Sequence, residues 1–180
     1  GRELVNHGTP LFPVAFYHDD LARDRVPWHW HDELELAVIL SGETNVFIAG
    51  CELNLKAGEG CFANSGILHS AELLSKTGWQ HCMVFSPRVI SSPDDIIWNK
   101  YVSPILSHQE LPFIKLSPKT PWQKETLSLA EKAWISGANE KTDYALTVRF
   151  ALSQIFSLIT HNIDTETEHP FTSKTQRDEL

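Results

Sequence analysis

Between residues 28 and 85 the chain is written as short apolar runs separated by turns of small residues. The runs cover 28–40, 44–48, 52–55, 60–63, 69–74 and 81–85, and the breaks include Ser41-Gly42, Ala49-Gly50, Ala57-Gly58 and Thr77-Gly78. Dense β-branched and aromatic residues between glycine turns suit a pleated, half-buried surface, so the rhythm predicts a small antiparallel barrel or sandwich. The run Leu11-Phe12-Pro13-Val14-Ala15-Phe16-Tyr17 adds an earlier strand, with Pro13 confining it to an edge or to the strand's start. Residues 1–10 read as a flexible N-terminal arm and 18–25 as loop.

The chemistry-bearing residues fall inside this β region. His29 and His31 are two apart and share one face of a strand, and Glu35 joins that face if the chain stays extended. His69 is the fourth member of the set. Three neutral imidazoles and one carboxylate suit Zn, Fe, Mn or Ni, and a position left open would take water or substrate. The same four residues could instead brace the barrel mouth through hydrogen bonds. Either way, such groups facing an enclosed space must be paired, hydrated or metal-bound. Trp28 and Trp30 alternate with the histidines and are expected in the core or against helices, with Phe47, Cys61, Cys82 and Met83 lining or core. His18, His81, His108, His161 and His169 match no motif.

The order His29-x-His31-x3-Glu35-x6-Gly42, followed by Gly58-x7-Gly66-x2-His69, resembles the paired signature motifs of the cupin superfamily at the short spacing of its small members. Arg23 stands where those motifs open with glycine, Asn64 where they carry proline, and Leu73 where they close with asparagine. The four ligand positions are intact. The resemblance implies a mainly β fold with α: a small antiparallel cupin barrel (double-stranded β-helix or jelly roll) followed by two to three helices. It also implies one divalent transition metal, Zn, Ni, Fe or Mn, on His29, His31, Glu35 and His69.

After Ser86-Pro87 the period changes. Ser92-Pro93-Asp94-Asp95 predicts a helix start, with Ser92 as N-cap, and that helix should stop near Val102, before Pro104. Residues 107–118 return to irregular or extended form. Thr120-Pro121 opens a second helix, carrying Trp122, Thr126, Leu129, Ala130, Ala133 and Trp134 at helical spacing, with Gly137 closing it. A third begins at Thr142-Asp143 and puts Tyr144, Val148, Ala151, Leu152, Ile155, Phe156 and Ile159 on one broad apolar face. Part of that width should cover the barrel or the second helix, and Leu152, Ile155 and Ile159 are the expected dimer interface, with Leu152, Ile155 and Phe156 as core the alternative. The segments are thus an arm (1–10), a barrel (11–90), a helical dimerisation and linker region (91–162) and a polar linker (163–180).

The run Trp30-His31-Asp32-Glu33-Leu34-Glu35-Leu36-Ala37-Val38-Ile39-Leu40-Ser41-Gly42, with Asn64-Ser65-Gly66-Ile67-Leu68-His69-Ser70, resembles the sensor half of AraC-type transcription regulators. That resemblance implies a small-molecule effector (sugar-like, acidic or hydroxylated) held by Glu35, His69, His29 and His31, directly or through a metal. It implies a homodimer, no catalytic residues, and DNA binding only through a helix-turn-helix domain missing from this chain. The signal would pass as a population shift in the arm and linker. The alternative is a mononuclear metal-dependent cupin enzyme, a dioxygenase, isomerase or lyase, using the same four residues.

Composition sets the outer limits. The 180 residues carry 15 Lys and Arg against 23 Asp and Glu, a formal charge of -8, which repels a phosphate backbone, so this stretch alone should not bind DNA. Cys51, Cys61 and Cys82 form no CxxC pair and sit in apolar runs, as expected of a reduced cytoplasm. No run approaches membrane-spanning length, so no membrane partner is expected. The ending Arg177-Asp178-Glu179-Leu180 resembles a retrieval tetrapeptide, but without a secretory signal it reads as a chain cut inside a longer protein.

Overall fold

A computed structural model of the chain describes residues 1–167. Strands β1 (Val14–Asp20), β8 (Trp79–Phe85), β3 (Leu34–Ser41), β6 (Gly60–Ala63) and β9 (Phe113–Leu116) form one antiparallel sheet in that order. Strands β2 (Val26–His29), β7 (His69–Leu73), β4 (Glu43–Ile48) and β5 (Cys51–Lys56) form the second. The helices α1 (Ser103–Leu106), α2 (Pro121–Ala138) and α3 (Tyr144–Thr167) follow. This is the expected antiparallel barrel with appended helices. None of the helices among the described residues is long and apolar enough to cross a membrane.

β3 explains the layering. It is apolar at nearly every position because both of its faces are buried. Leu34, Leu36 and Val38 point outward with Phe62, Met83 and Phe85 to pack under α2 and α3. Ile39 points inward with Ile48, Leu55, Cys61 and Ala63, toward the second sheet. Helices, five-stranded sheet and four-stranded sheet therefore stack as three layers around two cores. The outer face of the four-stranded sheet has no such cover. Trp28, expected in the core or under a helix, is 52% exposed there, with the Phe47 ring 6.1 Å away.

Several expectations need correction. β1 continues to Asp20, through residues read as loop, because it pairs with β8 along its whole length. The first helix is not capped by Ser92: the Asp95 carboxylate accepts from the amides of Ile97 and Trp98, at 2.8 and 3.0 Å. Nor does it stop before Pro104. A π-turn over Trp98–Val102 runs into α1, and Pro104 sits in that helix's first turn, where a missing N–H costs little. Gly137 does not close α2. It lies buried inside the helix because a Cβ there would fall on the Phe16 ring.

The arm, expected to be flexible, is pinned. Arg2 bridges to Trp30, the Glu3 amide donates to the Trp30 carbonyl (2.8 Å), and Arg2 pairs with Asp32 (2.5 Å). Gly8, at φ +80, turns the arm back onto β1.

Leu152, Ile155 and Ile159, expected at a dimer interface, are core positions of the single chain. They are at most 1% exposed within a single chain, packed with Val148, Ala151 and Phe156 against α2 and the outer face of the five-stranded sheet. The two supports together take the full width of the stripe. α3 also runs on to Thr167, into the expected linker, and the rest of that linker, with His169, lies outside the described residues.

Candidate functional site

The four motif residues come together at the mouth of the barrel. His29 ends β2 and pairs in register with His69 at the start of β7, so their rings sit side by side, centroids 4.2 Å apart. Glu35 projects from the inner face of β3, in the opposite sheet. His31 lies on the connection between β2 and β3, which is tied to the second motif by Gly66 N–H to His31 O (2.8 Å) and Ser65 Oγ to Asp32 O (2.6 Å). One ligand atom from each of the four lies within 4.8 Å of the others. Asn64, in place of proline, is buried and donates to the carbonyls of Ile105 and Leu111, binding the motif to the segment around α1.

The backbone fixes which nitrogen each ring offers. The Nδ1–H groups of His29, His31 and His69 donate to the carbonyls of Pro27 (2.7 Å), Glu33 (3.1 Å) and Ile67 (2.8 Å). Their Nε2 atoms are left to face the interior. Nε2 of His31 and of His69 each lie 3.2 Å from the same oxygen, Oε2 of Glu35. Bare lone pairs facing a carboxylate repel, so a cation has to stand between them: either protons on the rings or a metal ion. Burial by itself would push His31 and His69 down, but the Glu35 hydrogen bond and charge outweigh it and raise both. Burial would likewise raise the Glu35 carboxyl, and the two histidines hold it well below the usual carboxylate range. Backbone carbonyls that accept from Nδ1–H, convergent Nε2 atoms and one carboxylate fit a divalent transition metal.

Beside this set opens a cavity of about 490 Å³, lined in part by His29, Glu35, Tyr17, Asp19, Gln80 and Cys82. A larger cleft of about 630 Å³, beside Leu21, Arg25, Val26 and Glu72, holds none of the four motif residues. Tyr17 is pushed up to about 12, chiefly by burial and then by the charges around it, and so keeps its proton. Burial drives the Cys61 and Cys82 thiols up as well, which makes them lining rather than nucleophiles. The sequence reading overlooked His7. Its ring is buried, 5.3 Å from that of His31, and bonded to Tyr17 and Glu3. The one local signal was Gly8, a turn residue at the end of an arm read as loose.

The model of the family described as AraC-like ligand binding domain matches residues 11–100, half of the chain. The chain belongs to that family. It is also 31% identical over 135 residues to YdeC of Bacillus subtilis (strain 168), an uncharacterized HTH-type transcriptional regulator. The alignment covers 73% of this chain and 46% of YdeC, so the AraC-like domain spans about half the length of that relative. Among solved structures it is similar to an RmlC-like cupin from Shewanella frigidimarina NCIMB 400, at 19% identity and TM-score 0.37 over 42% of this chain and 68% of that one. It is likewise similar to a variant of Bacillus subtilis oxalate decarboxylase OxdC, at 23% identity and TM-score 0.37 over 41% of this chain and 21% of that one.

Proposed function

We propose that this AraC-like domain is the small-molecule sensor of a transcription regulator, and that DNA is read by a separate helix-turn-helix segment outside these residues. The observation that carries the proposal is the convergence of His29, His31, Glu35 and His69 beside a cavity of about 490 Å³ in a chain of this family. Nothing else among the described residues combines convergent ligands with room for a small molecule. His29, His31, Glu35 and His69 would hold one divalent metal ion, and a bound metal would supply a Lewis-acid contact for an oxygen-bearing effector. The surrounding residues orient the ligand: Gln80 as an amide braced by Asp19 at 2.9 Å, and Tyr17 through its oxygen, as an acceptor.

A ligand that binds only the folded domain raises its stability by about 2.7 kcal/mol at a hundredfold excess over Kd. Screening by thermal melting, with His69→Ala as the control that loses the response, tests the sensor reading. DNA binding is tested on the same chain: with a charge of -8, it is expected to show no salt-sensitive affinity for duplex DNA. We further propose a homodimer in the cytoplasm, with all three cysteines free, as they are here. The metal-enzyme reading rests on the same four residues, and turnover of any substrate by the metal-loaded domain would favour it.

A further inference from the structure

The arm does more than cross the cavity; it puts a carboxylate into it. Glu3 lines the cavity, and its Oε2 accepts from Nε2–H of His7 at 3.1 Å. His7 is 8% exposed, and its orientation is set from the other side, where Tyr17 Oη lies 2.7 Å from Nδ1. A phenol held protonated donates to Nδ1, which leaves the ring's own proton on Nε2, aimed at Glu3. The donor, itself an arm residue, is tied to β1 through Tyr17, and the acceptor is a replaceable side chain four residues earlier, 30% exposed. The His7 ring lies 5.3 Å from that of His31, which puts the Glu3–His7 pair beside the histidine set.

Charge decides what can take its place. Glu3, Asp19 and Glu35 already bring three carboxylates to the cavity, against Arg2 and Arg25. A further anion beside Glu3 would be repelled, whereas an anion in place of Glu3 leaves the charge unchanged. A neutral polyol would leave His7 bonded to Glu3 and the arm where it is.

We propose, resting on the sensor reading above, that Glu3 occupies the subsite of the effector's carboxylate: the effector is a small organic acid that displaces Glu3 from His7 Nε2–H and so releases the arm from Trp30. The arm is then a built-in competitor, and ligand binding and arm release are one event.

The test uses metal-free protein, with pyruvate and acetate as acidic probes and erythritol as the neutral one. Binding is followed by calorimetry and the arm by hydrogen exchange at the Glu3 amide, which is bonded to Trp30 O. The expected result is faster exchange of that amide on adding pyruvate or acetate, and binding about tenfold tighter in Glu3→Gln than in the wild type. His7→Gln, judged folded by circular dichroism, should lose the acidic probes. Equal affinity in Glu3→Gln and wild type overturns the inference, as does failure of both acids to bind Glu3→Gln. Erythritol binding alone overturns the acid class and leaves the sensor reading standing. Conversely, if the acids bind as expected but a regulator carrying this domain shows no effector-dependent promoter control, the subsite stands and the sensor reading fails.

Discussion

At the histidine set, a proton and a metal ion compete for the same space, because the carbonyls of Pro27, Glu33 and Ile67 have already claimed the Nδ1 protons. That competition gives the metal-free protein a definite pH profile. His31 and His69, raised above their ordinary 6.5 by Glu35, contribute stability that is complete below 6.5 and is lost as pH climbs through their folded values. Glu35, held below its ordinary 4.5, contributes stability that is complete above 4.5 and is lost as pH falls through its folded value. Metal-free protein should therefore melt highest between about pH 4.5 and 6.5 and lose stability on the alkaline side. Saturating zinc or nickel, which replaces the protons, should restore the alkaline loss, and His31→Ala should abolish uptake of one metal equivalent. Melting curves that stay flat across this range with and without metal would contradict the competition. The four residues were legible in the sequence through their types and motif spacing, but not through a shared strand face as expected: β2 ends at His29, His31 lies on the connection, and Glu35 stands on β3 in the opposite sheet. His7 and Tyr17 were not, since they meet only through the fold-back at Gly8, and nothing in a local pattern brings residue 7 to residue 17.

Among the elements, α2 and β1 approach so closely that glycine is required at their crossing. Gly137→Ala should raise helix propensity by about 1 kcal/mol and still destabilise the protein, by about 1 to 3 kcal/mol, because the new methyl group meets the Phe16 ring. Denaturant unfolding of the single variant and of the pair with Phe16→Ala separates the two effects, and recovery in the pair is the expected outcome. Reading Gly137 as a helix end and Pro104 as a helix stop failed for one reason. Both rules describe isolated helices, and here a neighbouring strand in one case and a π-turn in the other supply what the rule assumes absent. The start of α2 at Thr120-Pro121 needed no such neighbour, and the helix opens there as expected.

For the whole molecule, the apolar stripe of α3 was visible in the sequence, but how it divides between the core and a second copy was not. Periodicity tells how wide a face is and says nothing about what covers it. Leu152→Glu should unfold the chain, since it buries a charge with no partner. Phe150, one of the exposed apolar side chains of α3, is a better probe of the proposed dimer: Phe150→Glu should keep the melting temperature and shift sedimentation toward monomer. A wild-type monomer would defeat the dimer. A fragment ending at residue 90 should bind a hydrophobic dye and lack near-ultraviolet circular dichroism, because Leu34, Leu36, Phe62 and Phe85 would lose their cover. The five-stranded sheet is thus a party wall. Along β1 and β8, Tyr17, Asp19, Gln80 and Cys82 look into the cavity, while Phe16, His18, His81 and Met83 look toward the helical layer, with His81 bonded to Glu131 and stacked on Trp134 of α2. The two groups alternate residue by residue on the same backbone. An occupant of the cavity that shifted β1 or β8 would carry with it the side chains those strands turn toward the helices.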